Sequence, residues 1–552
     1  MGSSTRLILA ATMAALGTGM LVASPFAAGS GPATRAAGGA QRGGTLRVNY
    51  SLSDFEYIDP QLAYDVRSWQ ALYPTSMLLL GYPEKAGAEG KRLEPQGATG
   101  FPTVSKDGKT YTFTIRSGLR FSDGSPVTAA AYKRAFERLL SPKMGSPRGP
   151  NILLDRLIVG ADAYLSGKET TLTGVSADGQ MLTVRLTRAD ATFLAMLGMP
   201  WFTATKPGTP FAPAGLNAFP SAGPYTITSR EPGRSLVLER NRYYRGPRPA
   251  NPDRIAITVN TDLNQSLLQV KSGEADLDML GLPPSAHEEL AAQYGINKGR
   301  YFVGKTLGTA YVALNTSRPV FSNVNLRKAV NWAIDRPALV RVSGKYAGAR
   351  TDQILPPAMA GFRDVKIYAI RGADPAKARQ VAQGAGEGKT VTLLHSNSPS
   401  NLARAQIIQY NLKQIGMDVR LEPVPARLLL TEAGKRNTDA DMILTAWIAD
   451  YPDPSNFINV LLDGTTIQEE NNVNQSYWNN PAYIKRMREA ATLTGDARYS
   501  AYAKLDLDIT KNEAPWASYM SGNNRFFVSA RIEHAIYVPA LTWFALNAMA
   551  IR

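Results

Sequence analysis

The segment Trp447-Ile448-Ala449-Asp450-Tyr451-Pro452-Asp453-Pro454-Ser455-Asn456-Phe457 sets two carboxylates among two prolines and three aromatic rings. Proline fixes φ, so a loop of this composition is stiff and holds Asp450 or Asp453 at a set position. Aromatic neighbours beside a carboxylate can line a cleft of low dielectric, where a charge-assisted bond to a cation is strengthened. The chemistry on offer is capture of a positively charged group. The same residues also fit a proline-rich turn with capping aspartates, and the bare sequence leaves both readings open.

Constellations for catalysis are scarce. The only histidines, His287, His395 and His534, are far apart, and His287-Glu288-Glu289 is not followed by a second histidine at zinc-protease spacing. No G-x-S-x-G nucleophile elbow occurs. Cysteine is absent, which removes disulfides, thiolate metal sites and a lipid-modified cysteine. We therefore expect no catalytic residue, no metal and no cofactor, and read the histidines as structural or surface residues. Gly384-Ala385-Gly386-Glu387-Gly388-Lys389-Thr390 ends like a phosphate-binding loop, but Gln383 stands where that loop needs its first glycine. The segment also leads from a helix into a strand, the reverse of the order that brings a helix amino end to phosphate.

The elements that must position the aspartate loop are legible as periodicities. Met442 to Leu444 reads as an apolar strand feeding the loop. Upstream, Thr390 to Leu394 reads as a strand. Ala405, Ile408, Leu412 and Ile415 form a helical face stopped by Gly416, and Met417, Val419 and Leu421 alternate again. This β-α-β succession predicts a parallel sheet with helices packed on it. Asp374-Pro375 supplies a cap and a proline at the first helical position.

Nearer the start, Thr45 to Tyr50 alternates into a strand, as do Tyr111, Phe113 and Ile115. After Thr128, which can cap a helix, Tyr132, Phe136 and Leu139 share one face, with Lys133, Glu137 and Arg138 pointing elsewhere. Gly174 to Ser176 and Met181 to Leu186 flank Asp178-Gly179 as a hairpin, so this middle block reads as an α+β unit.

Across 552 residues, 44% hydrophobic and 19% charged side chains fit a soluble globular chain and argue against disorder or a multi-span membrane protein. The net charge of +16 is spread along the sequence without a Lys/Arg block, which points to a solvated basic surface and away from nucleic-acid binding. Arg6, the apolar run Leu7 to Ala23 and the small residues after it describe a secretory signal, followed by a Gly/Ala-rich leader from Ala33 to Gly44.

Taken in order, several short segments resemble the family 5 extracellular solute-binding proteins, the oligopeptide, dipeptide and nickel receptors of ABC importers. They begin with Gly43-Gly44-Thr45-Leu46-Arg47-Val48, Asp59-Pro60 and Asp107-Gly108-Lys109-Thr110-Tyr111-Thr112-Phe113, and continue with Phe121-Ser122-Asp123-Gly124-Ser125-Pro126-Val127-Thr128-Ala129. Gly223-Pro224-Tyr225, Glu239-Arg240-Asn241, Ser272-Gly273-Glu274-Ala275-Asp276, Leu314-Asn315-Thr316 and the Asp450-Tyr451-Pro452-Asp453-Pro454 loop complete the series. Ala130 and Ala131 depart from the family, which usually has an acidic residue there, so the helix lacks a capping-box partner.

The resemblance implies an α/β, type II periplasmic-binding-protein fold: two lobes in three domains, with a hinge and a central ligand cleft. Carried onto this chain, domain I takes residues 45–82, 206–307 and 516–552, domain II 83–205 and domain III 308–515, after a signal peptide at 1–30 and a flexible leader at 31–44. In peptide-binding members an aspartate of this loop pairs with the ligand's α-ammonium. The matching residue is Asp450, with Trp447, Ala449 and Tyr451 expected beside the ligand. The implied partners are a peptide or other small solute and the permease subunits of an ABC importer, served by a monomer outside the cytoplasm, periplasmic or at the outer face of the cell membrane. The alternatives are the same fold with a nickel chelate, sugar or haem, an exported hydrolase, or a ligand-free sensory protein on this scaffold.

Overall fold

The computed structural model describes residues 42–51, 54–145, 154 and 156–552. The expected signal peptide and most of the leader lie outside the described residues. The Gly43 N–H donates to the Asn251 carbonyl, and the strand Thr45–Tyr50 begins where the alternation predicts.

That strand is the parallel neighbour of both Arg254–Val259 and Leu277–Asp278, and Ser235–Arg240 and Tyr225–Glu231 complete a five-stranded sheet, with Ser235–Arg240 antiparallel to Arg254–Val259. A second unit is a four-stranded antiparallel sheet that includes Thr110–Thr114, Met181–Arg185 and Val175–Asp178, covered by the helix Ala129–Leu140. Tyr132, Phe136 and Leu139 are buried on the predicted face. Thr128 occupies the N-cap in extended conformation without a side-chain bond. Arg138, off that face, is buried as well: it is 1% exposed, and its guanidinium forms a bidentate pair with Asp59 at 3.0 and 2.6 Å and a further bond to Gln61 Oε1. A buried cation of this kind requires its countercharge, supplied by the chain upstream.

The third unit is a six-stranded sheet in the order Gly348–Arg350, Trp516–Phe527, Tyr301–Leu314, Met442–Ile448, Thr390–Ser396, Asp418–Val424. Its β-α-β part is parallel, as the succession predicts, within a sheet that is mixed as a whole. The last three strands are mutually parallel, with the helix Pro399–Lys413 as the crossover, whereas Tyr301–Leu314 lies antiparallel to both its neighbours. Ser398 caps that helix and proline takes its first position, as Asp374 and Pro375 do for Pro375–Ala382. Ala405, Ile408, Leu412 and Ile415 join Val391, Leu393 and Leu444 in the core of this lobe. The phosphate-loop look-alike runs from the helix Pro375–Ala382 into the strand Thr390–Ser396, as its order in sequence implied.

Two long strands, Tyr301–Leu314 and Trp516–Phe527, pair along much of their length and reach from the five-stranded region into the second lobe. Their register shifts between Lys305 and Thr309 and again between Ala310 and Tyr311. Bulges bend a ladder locally, so the ribbon that joins the lobes is interrupted where bending is cheapest. At Gly304 a Cβ would meet the Tyr537 ring at 2.5 Å, so only glycine lets the strand pass there. No helix among the described residues is long and apolar enough to cross a membrane.

Candidate functional site

The strand predicted over Met442 to Leu444 runs on to Ile448, which places Trp447 in the sheet and starts the loop at Ala449. The Ala449 N–H still donates to the Leu307 carbonyl at 2.8 Å, so Asp450 leaves the sheet edge from a fixed point. Pro452 and Pro454 then stiffen the turn into the helix Ser455–Leu462. Asn456, in the first turn of that helix and fully buried, folds back on the loop. Its Oδ1 accepts from Trp447 Nε1 at 2.8 Å and from the Asp450 N–H at 3.0 Å, and its Nδ2 donates to Asp450 Oδ2 at 3.0 Å.

The two aspartates of the loop sit in different surroundings. Asp453 is structural: its Oδ1 accepts from the Ser455 N–H, and its carboxylate is gripped by Arg498 at 2.9 and 2.7 Å. Asp450 is paired with no cation among the described residues. Its hydrogen bonds, from Asn456 Nδ2 and from Tyr64 Oη at 3.3 Å, both reach Oδ2, and the residue lines the adjoining cavity. Burial pushes its carboxyl up to about 7, against the opposing pull of the bonds from Asn456 and Tyr64. Asp506 is also pushed up to about 7 by burial, but it accepts from Gln353 Nε2 and from the N–H groups of Ile354 and Leu355.

Tyr64 belongs to the first lobe and is the wall between two recesses at the junction of the lobes. Its ring stacks on Trp201 at 5.2 Å and meets Trp69 edge-on at 5.9 Å. The indoles of Trp69 and Trp201 both donate to the Ala63 carbonyl at 2.8 Å, so the residue before Tyr64 is held by two aromatic donors. One recess is lined by Tyr64, Trp69, Ile448, Ala449, Asp450 and Trp543 among others. The other is lined by Tyr64, Tyr311, Thr445, Trp447, Asn471 and Gln475 among others. Asp450 is the only charged side chain lining either recess among the described residues.

The structure therefore brings Trp447, Ala449 and Asp450 of the predicted set around Tyr64. Tyr451 does not join them. It is 1% exposed and borders a different cavity with Asp190, Thr192 and Ser455, because adjacent residues of the turn point to opposite sides. His287 and His395 are buried, with ring nitrogens against the Tyr301 hydroxyl and the Ser396 carbonyl. Among the described residues no group of three or more metal-binding side chains is assembled. Sequence reasoning gave no role to Asn456, though it lies in the segment, nor to Tyr64, Trp69 and Trp201. An amide a few residues beyond an aspartate, across two prolines, is the one local signal that could have flagged Asn456.

Comparison with known proteins agrees with this architecture. The model of bacterial extracellular solute-binding proteins, family 5 middle region, matches residues 92–469. The dipeptide-binding protein DppE of Bacillus subtilis is 26% identical over 479 residues, covering 83% of each chain. Heme-binding protein A of Haemophilus influenzae is 26% identical over 440 residues, covering 75% of this chain and 76% of its own. Among solved structures, the clavulanic acid biosynthesis oligopeptide binding protein 2 superposes with a TM-score of 0.85 at 24% identity, over 93% of this chain and 96% of its own. DppA from Helicobacter pylori, in complex with the peptide STSA, gives 0.74 at 22% identity over 93% and 98%. With a two-lobed α/β body, a cleft at the lobe junction and a family match spanning most of its length, the chain belongs to the family 5 bacterial extracellular solute-binding proteins.

Proposed function

We propose that this receptor captures short peptides by their α-ammonium group at Asp450 and delivers them to the permease of an ABC importer. The observation that carries the reading is a carboxylate without a cation partner among the described residues, held by Asn456 and Tyr64, at the recess where the lobes meet. Protein packed around the carboxylate lowers the effective dielectric below that of water, so an ammonium ion gains a strong charge-assisted bond. Trp447 and Ala449 flank the anchor on the exposed end of a sheet strand, a position from which main-chain groups can hold a peptide as an added strand. The names of relatives such as the dipeptide-binding DppE support a peptide ligand. Work outside the cytoplasm, as a monomer exported by its N-terminal signal, completes the proposal, in which the chain binds and carries its solute without altering it.

The test is calorimetric titration of a mixed pool of short peptides into wild type and Asp450→Ala. Truncating one partner of a buried charged pair costs about 2 to 5 kcal/mol. Equal affinities for the two proteins would defeat the assignment. Native mass spectrometry of the purified protein, before and after mild denaturation, would report the mass of any co-purified solute, and recovery of unaltered peptide after long incubation separates binding from hydrolysis.

A further inference from the structure

We propose that the recess on the far side of Tyr64 from Asp450 is an uncharged side-chain subsite, in which Gln475 selects ligands that place a neutral, hydrogen-bonding group there. The proposal rests on the reading of Asp450 as the ammonium anchor and specifies what must follow that ammonium along the ligand.

Gln475 is 5% exposed and lines the recess, and its Oε1 accepts no hydrogen bond from any described residue. A buried acceptor left unmade is costly, and a ligand that brings an N–H or O–H donor recovers that cost. The neighbouring amide shows the contrast. Asn472 Oδ1 accepts from the Gln468 N–H, and its Nδ2 donates to the Gly434 and Gln468 carbonyls, so Asn472 is consumed by the fold.

The remaining walls are built to be rigid and neutral. Tyr311 stacks on Trp516 with ring centroids 3.6 Å apart and planes within 8°, and Thr445 faces Tyr311 across the strand pair. Thr431 and Asn471 add a hydroxyl and an amide. No charged side chain among the described residues lines this recess. Of the acids adjoining the lining residues along the chain, Glu432 is taken up by Lys435 at 2.6 Å, and Glu469 and Glu470 are exposed to water, where an ion pair gains little. A charged ligand group entering the recess would lose hydration without a countercharge, whereas an amide or hydroxyl would not.

Spacing sets which ligand residue enters. Trp447, which lines this recess, and the Asp450 N–H donate to the same Asn456 Oδ1, at 2.8 and 3.0 Å, so the recess adjoins the anchor. An extended peptide anchored at Asp450 therefore presents one of its first residues to the recess.

The experiment is calorimetry with trialanine and with tripeptides carrying Gln, Ser, Leu, Lys or Glu at each position in turn, on wild type, Gln475→Glu and Gln475→Met, each confirmed folded by its melting transition. The expected wild-type result is one position at which Gln or Ser binds about tenfold or more tighter than Lys or Glu. At that position Gln475→Glu raises affinity for Lys relative to Gln by about tenfold, and Gln475→Met removes the advantage of Gln over Leu. If trialanine binds but no position discriminates neutral from charged groups, the subsite is refuted and the Asp450 anchor stands. The subsite is likewise refuted if both variants keep the wild-type ranking. If no peptide binds, trialanine included, the peptide reading falls and takes the subsite with it.

Discussion

As the proposed ammonium anchor, Asp450 takes its character from what surrounds it more than from what it is. Its carboxyl is pushed up to about 7 by burial, so near neutrality the empty site is part protonated. An ammonium ligand pairs with the ionised form, and below that value each binding event must first expel a proton. Peptide affinity should therefore fall by up to about tenfold per pH unit as the pH drops from about 7, with proton release detectable by calorimetry in buffers of different ionisation heat. The stability of the ligand-free protein runs the other way. The unfolded aspartate ionises near about 3.9, so between there and about 7 the folded state holds the extra proton and stability declines as pH rises. Asp506 contributes in the same sense, and comparison of wild type with Asp450→Asn isolates the part due to Asp450. The loop was legible in sequence as two carboxylates among two prolines and three aromatic rings, but only the family resemblance singled out Asp450 from Asp453. Tyr64 was not legible, because it reaches Asp450 across 386 residues of chain, and no local pattern encodes a contact made only by the closed fold.

Elements were legible where periodicity decides them. The strand Thr45–Tyr50, the hairpin around Asp178 and Gly179 and the buried face of Pro399–Lys413 all follow from alternation or helical spacing. Helical spacing sets Arg138 off the face of Tyr132, Phe136 and Leu139 but does not tell that the structure buries its side chain against Asp59 and the Pro210 carbonyl. Its partner lies 79 residues upstream, so the helix alone could not reveal it. The pair lends itself to a denaturation test. Arg138→Met alone should lower stability by about 3 to 5 kcal/mol, because it strands a buried carboxylate. Adding Asp59→Leu should recover much of that loss, and the urea midpoints of the three proteins read both effects. Trp447 shows the same limit differently: the strand continues past the apolar run because Tyr301–Leu314 pairs with it through Ile448.

For the whole molecule, the lobes are tied together away from the recess as well. Arg498, locked to Asp453 of the aspartate loop, also donates to Thr192 Oγ1 at 2.7 Å, and the Ala191 N–H donates to the Ala491 carbonyl at 2.9 Å. The loop that carries Asp450 is thereby joined to a bond spanning the two lobes. Thr192→Val removes that bond without touching the recess, and should weaken peptide binding by about tenfold through a smaller closed population. Small-angle X-ray scattering should show a larger radius of gyration for the ligand-free variant, restored by saturating ligand. Unchanged scattering and affinity would mean that closure is set elsewhere.

The five-stranded sheet carries a consequence for how such a molecule comes into being. Its strand Thr45–Tyr50 has no neighbour in the sheet until Arg254–Val259 and Leu277–Asp278 have been made, and the lobe is sealed only when Asn547 donates to Glu84, 463 residues earlier. Contacts so distant in sequence are slow to form and leave apolar strand edges open meanwhile. The receptor's first residues must wait for its last ones, so a chain halted midway during synthesis is an unfinished first lobe in need of a chaperone, and assembly is timed by completion of the polypeptide.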